Sequence, residues 1–179
     1  MDVRRIESIT PEPWRNGGGI TRALASNGQC WRVSIAEVER DGPYSRFDGL
    51  RRISYVLRGA GAVLRDDAAE LTLAPSRAVE YDGGRLWRAS LIDGPMSVLN
   101  VMFVADDYRA RVHALASDLV VLPGRTALVV AFDTACLCDE TGVIDAGSTL
   151  VIDRVRRPLR VSPMSHAGMP PALVTIEPI

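Results

Sequence analysis

Arg22, Arg32 and Arg52 recur on three successive segments of strand character, and Asn100 lies inside the apolar run Val98-Leu99-Asn100-Val101-Met102. Arginine holds a carboxylate through two parallel hydrogen bonds, so two of these guanidiniums facing one hollow would suit a small anion. For any single arginine, a solvated surface position is the plainer reading. An amide inside an apolar strand costs stability unless it finds partners, which are either neighbouring backbone or a ligand. Ser34 and Ala36 share the Arg32 face of their strand, because alternate residues line one face. Small residues beside an arginine leave room for something. Trp31, Val33 and Ile35 fall on the opposite, apolar side.

Upstream lies Pro13-Trp14-Arg15-Asn16-Gly17-Gly18-Gly19-Ile20-Thr21-Arg22. Glycine loses more backbone freedom on folding than any other residue, so three in a row demand a reason. One reason is a turn or bulge where strands approach closely. The other is a backbone wall against which a small ligand rests. The residues alone weigh these two equally. A phosphate loop is not supported, since Ile20 to Leu24 reads as a strand and no lysine follows the glycines.

Other chemistry is narrowed by what the chain lacks. All 21 basic side chains are arginine, which removes Schiff-base, pyridoxal and lysine-dependent phosphate chemistry. His113 and His166 stand far apart, and Cys136-Leu137-Cys138 has no second Cys/His pair to complete a zinc site. Two buried, inert cysteines are the better reading. Glu37 and Glu39 lie on one strand face rather than opposed across a substrate, as glycosidase acids must be. No Gly-x-Ser-x-Gly elbow is present. Neither a metal nor a cofactor is expected.

The 179 residues are 47% hydrophobic with a formal charge of −1. That composition supports a packed core and gives no global preference for nucleic acid or an anionic membrane. Three cysteines offer no disulfide framework, residues 1–10 lack the apolar core of a signal peptide, and the apolar runs are too short to cross a bilayer. A cytoplasmic protein is the expectation.

Short strand signals dominate, separated by Asp41-Gly42-Pro43, Gly59-Ala60-Gly61, Asp82-Gly83-Gly84, Asp93-Gly94-Pro95 and Pro123-Gly124. This spacing predicts an all-β sandwich or barrel. Asp106 to Leu115 is the best helix candidate, although its poor apolar spacing suits a strand equally. Two packed β lobes are expected, divided as residues 1–105 and 106–179, with the unusual clusters in the first.

Several blocks resemble the HutD/Ves family. They are Pro13 to Gly19 with Thr21-Arg22, Trp31-Arg32-Val33-Ser34-Ile35-Ala36, Asp41-Gly42-Pro43-Tyr44-Ser45-Arg46-Phe47 with Gly49, and Arg52. Gly59-Ala60-Gly61, Asp93-Gly94-Pro95 and Leu99-Asn100-Val101-Met102 complete the set, in the family's order, over residues 13 to 102. The resemblance implies a bicupin, two cupin-type β-barrel or jelly-roll lobes in one chain, associated with histidine utilisation or stress responses. It implies a regulatory, small-molecule-binding role, with acids of histidine breakdown such as urocanate or formylglutamate as ligands. Two departures stand out. Tyr44 replaces the commoner Phe, and Phe103-Val104-Ala105 stands where polar or basic residues are commoner. No His-x-His pair is present, so the metal chemistry of catalytic cupins does not carry over.

Together these readings predict a metal-free binder of a small carboxylate in the N-terminal lobe. Arg22 or Arg52 grips the carboxylate, with Arg32 beside them. Asn16, Thr21, Ser34, Ser45 and Asn100 orient the rest, and Trp31 and Met102 form apolar walls. Alternatives are a metal-independent isomerase or hydrolase acting on a small acid, and a structural module whose cavity its own side chains fill. No nucleic-acid or membrane partner is expected, and exposed β edges allow a homodimer.

Overall fold

The computed structural model describes residues 2–179. Its strands are β1 (Asp2–Arg5), β2 (Glu12–Pro13), β3 (Gly19–Asn27), β4 (Trp31–Val38), β5 (Gly42–Pro43), β6 (Arg51–Arg58), β7 (Ala62–Arg65), β8 (Glu70–Leu73), β9 (Ala78–Asp82), β10 (Arg88–Leu91) and β11 (Met96–Phe103). They continue as β12 (Tyr108–Ala114), β13 (Leu119–Val121), β14 (Thr126–Ala131), β15 (Cys136–Cys138), β16 (Gly142–Ile144), β17 (Ser148–Ile152), β18 (Leu159–Pro163) and β19 (Ala172–Pro178). The helical content of the described residues is one short 3-10 turn, Ile6–Ser8.

Two compact units result, one from Thr10–Asp106 and one from residues 2–9 with Asp107–Ile179. The amino-terminal residues join the second unit because β1 pairs antiparallel with β17, from Asp2 opposite Val151 to Arg5 opposite Ser148. The Ile6 amide then donates to the Gly147 carbonyl at 2.8 Å.

The Thr10–Asp106 unit has a six-stranded sheet ordered β2-β3-β4-β11-β6-β9 and a four-stranded sheet ordered β5-β10-β7-β8. Its core joins Ala36, Val56 and Val98 of the larger sheet to Ala62, Leu64 and Ala89 of the smaller one. The alternation seen in β4 explains this. Arg32, Ser34, Ala36 and Val38 share one face, and that face carries the apolar pair Ala36 and Val38 into the core. Farther along the same face, polar residues replace apolar ones.

The other unit pairs a five-stranded sheet, β1-β17-β14-β19-β12, with a four-stranded one, β13-β18-β15-β16. Hydrocarbon and thiol fill its core, including Leu115, Val129, Cys136, Cys138, Ile144 and Leu159. Burial, and then the neighbouring Cys138, push the Cys136 thiol up to about 12. The helix candidate Asp106 to Leu115 is a strand, β12. Ala110 and Val112 are buried while Arg109, Arg111 and His113 are exposed, the two-residue period of a sheet. Among the described residues no helix is long and apolar enough to cross a membrane.

Candidate functional site

Where polar residues replace the core of the Thr10–Asp106 unit, a cavity of about 510 Å³ remains. Strand register builds its floor. Met102 of β11 lies opposite Arg32 of β4 and opposite Arg52 of β6, so these three form one row. The next row toward the core is Ser34, Asn100 and Ser54. All six side chains share one sheet face, because each row is two residues from the other along every strand. Thr21 of β3 pairs with Ala36 and joins the same face.

Arg52 is the central charge. It is 5% exposed, yet among the described residues no carboxylate pairs with it. Its Nε and Nη2 donate to Asn100 Oδ1 at 3.2 and 3.1 Å. Its guanidinium carbon stands 4.8 Å from the ring centroid of Tyr44 and 5.8 Å from that of Tyr81. The aromatic faces stabilise the cation without neutralising it.

Asn100 Oδ1 also accepts from Ser54 Oγ at 2.8 Å. Three donors converging on one atom fix that atom as the oxygen and leave Nδ2 as the other end of the amide. The Ser54 proton is thereby committed, so the 2.8 Å contact between Ser54 Oγ and the Tyr81 hydroxyl is donated by Tyr81. Burial raises the Tyr81 hydroxyl above its ordinary range, which keeps this donor protonated. Burial raises Tyr44 likewise, and Arg52 opposes the shift only in part.

The rim comes from two loops. Trp14 Nε1 donates to Thr21 Oγ1 at 2.8 Å, and the Trp14 ring meets Tyr44 edge to face at 6.3 Å. Asn16 Oδ1 accepts the Gly18 amide at 2.9 Å, and Arg40 Nη2 donates to the Asn16 and Gly17 carbonyls. Arg32 Nη2 contacts Glu12 Oε2 at 3.3 Å, with Arg32 half-buried and Glu12 exposed. Arg15, Arg32 and Arg52 line the cavity against Glu12 as its one acid, which gives it a positive balance.

Asn16, Thr21, Arg32, Ser34, Ser45, Arg52, Asn100 and Met102 therefore lie around one cavity. Arg22 and Trp31 do not. Arg22 pairs in register with Ile35, on the face away from Ser34, and its Nη1 bonds Glu37 Oε1. Trp31 occupies the face of β4 opposite Arg32. Trp14, Tyr44 and Phe47 line the cavity without having been singled out as site residues. Ser54 and Tyr81 act one layer beneath it. The two-residue period of β6 would have found Ser54, since it shares a strand face with Arg52.

The glycine triplet serves strand approach. A Cβ on Gly19 would stand 2.1 Å from the Glu37 carbonyl oxygen, and Gly17 has φ +63 with Arg40 packed against it. None of the three glycines lines the cavity. The cavity lining includes no histidine or cysteine, and no group of three or more His, Cys, Asp or Glu among the described residues could hold a metal ion.

Comparison with known proteins agrees with this architecture. The HutD family model matches residues 6–165. Protein Ves of Citrobacter koseri is 30% identical over 156 residues, spanning 83% of this chain and 82% of the relative. An uncharacterised 21.2 kDa protein in the hutC 3′ region of Pseudomonas putida is 32% identical over 120 residues, and the match spans 63% of each protein. The structure of HutD from Pseudomonas fluorescens SBW25 superposes with a TM-score of 0.83 at 23% identity, over 99% of this chain and 98% of that one. A cupin 2 conserved barrel domain protein from Leptotrichia buccalis gives a TM-score of 0.59 at 10% identity, over 99% and 96% of the two chains. The fold is an all-β bicupin, and the chain belongs to the HutD family.

Proposed function

We propose that this chain binds a small carboxylate metabolite in the cavity of its Thr10–Asp106 unit and that the binding is regulatory. One observation carries the reading: Arg52 is a buried guanidinium held by an amide oxygen and two aromatic rings, with no acid paired to it among the described residues. An uncompensated buried charge is costly, and an anionic guest offsets that cost. The guest's carboxylate takes the open side of Arg52 and the Nδ2 of Asn100. Arg32, Thr21 and Asn16 complete the enclosure, and Met102 provides an apolar floor. Arg22, tied to Glu37 on the other sheet face, has no part in it.

Acids of histidine breakdown are the ligands to try first, because the Pseudomonas putida relative takes its name from the hutC 3′ region. Urocanate, formylglutamate and glutamate are to be compared by ligand-dependent melting. A ligand at about a hundred times its dissociation constant adds about 2.7 kcal/mol to stability. Arg52→Gln, which keeps a donor but removes the charge, is expected to lose that gain. A charge-assisted hydrogen bond of about 1.5–3 kcal/mol corresponds to a roughly ten- to hundredfold loss of affinity. Equal stabilisation of wild type and Arg52→Gln would remove Arg52 from the site. Product analysis after incubation with each acid separates binding from turnover.

A further inference from the structure

Two hydroxyls in the same cavity have no use in the protein itself. Ser34 Oγ and the Tyr44 hydroxyl are buried without a hydrogen-bond partner. Both residues line the cavity, at 1% and 6% exposure. Buried hydroxyls are normally paired, because desolvation without a partner is unfavourable.

Position sharpens the point. Ser34 and Ser54 flank Asn100 in one row, each directly opposite it on a neighbouring strand. Ser54 bonds both Asn100 and Tyr81, whereas Ser34 bonds nothing. Two residues along β4 on the same face stands Ala36, which packs there with no polar atom to satisfy. Tyr44 poses the same question. Its ring covers Arg52 at 4.8 Å, a contact a phenylalanine ring would also make, so the hydroxyl adds only a desolvated polar group.

The polar groups left over can all donate. The oxygen of Asn100 is saturated, which leaves its N–H groups, and the two hydroxyls each have a free O–H. A single carboxylate on Arg52 and Asn100 does not use all of these. Resting on the proposed carboxylate site, we infer that the ligand carries a second acceptor, a carbonyl oxygen, and that Tyr44 and Ser34 read it. They are specificity-determining residues that separate an oxo acid from its plain counterpart. A site built around hydrogen bonds to a ligand group rejects the analogue lacking it, because its own polar groups then stay unpaired.

The test uses acids matched in chain length: propionate with pyruvate, butyrate with acetoacetate, and pentanoate with levulinate. Titration calorimetry on the full chain gives the affinity ratio within each pair. In at least one pair the oxo acid is expected to bind about tenfold tighter or more. Tyr44→Phe and Ser34→Ala, made separately, each bring that ratio toward one, whereas Arg52→Gln weakens both acids of the pair. Ratios near one in all three pairs of the wild type, or an unchanged ratio in both hydroxyl variants, overturn the inference. A wild type that binds none of the six acids overturns the carboxylate site itself.

Discussion

Arg52 reaches past its own partner in register. Met102 is directly opposite it on β11, yet the guanidinium leans diagonally to Asn100 Oδ1, two residues along that strand. The diagonal separation in a strand pair is roughly 7–8 Å between Cα atoms, within range of a long side chain. The lean places the cation over the Tyr44 ring and leaves Met102 as floor. Asn100 thus sets the direction of the charge without supplying any opposite charge.

Asn100→Asp replaces that neutral acceptor with a carboxylate at hydrogen-bond distance from Arg52. The new ion pair occupies the cation internally, so anion affinity is expected to fall about tenfold or more while the chain stays folded. Calorimetry with the acids above reads the affinity, and circular dichroism reads the fold. Undiminished affinity would mean that Arg52 and the ligand do not meet.

Gly19→Ala forces a Cβ into the Glu37 carbonyl, 2.1 Å away, where the β3 and β4 backbones approach. Overpacking of this kind costs about 1–3 kcal/mol, so the urea midpoint of unfolding should fall accordingly. The same substitution at Gly28 meets no atom within 4 Å but still carries the strain of φ +54, and is expected to cost less.

Alkaline titration tests the buried ring system. Burial holds Tyr44, Tyr55 and Tyr81 above the ordinary tyrosine range near 10. A folded pKa raised above the unfolded one means the unfolded chain releases its protons first. The stability these groups contribute is complete below about pH 10 and is lost as pH rises above it. Phenolate absorbance from these three rings should therefore appear together with unfolding. Their titration in a still-folded chain would contradict the burial.

Thiol labelling separates the cysteines. Cys136 and Cys138 are buried, and Cys136 is raised to about 12, whereas Cys30 is partly exposed. A thiolate reagent at neutral pH is expected to modify Cys30 in the native chain and all three after denaturation.

Much of the sheet was readable because β4 alternates so clearly: its period of two placed Arg32, Ser34 and Ala36 on one face. Register was not readable. Arg22 resembles Arg32 and Arg52 in sequence, but pairing with Ile35 turns it to the other face, and only the partner strand decides that. Tyr44 and Trp14 come from loops, where no period exists to assign a direction. The region Asp106 to Leu115 stayed open between helix and strand because its acidic start imitates a helix terminus, while its burial follows its pairing with β19.

The tail at residues 2–5 acts as an edge guard. By lying along Ser148–Ile152 it caps amide and carbonyl groups that would otherwise recruit a strand from another molecule. Anyone expressing the carboxy-terminal half alone from Asp107 would discard this cover, and the fragment should stick to itself unless the first nine residues are grafted back.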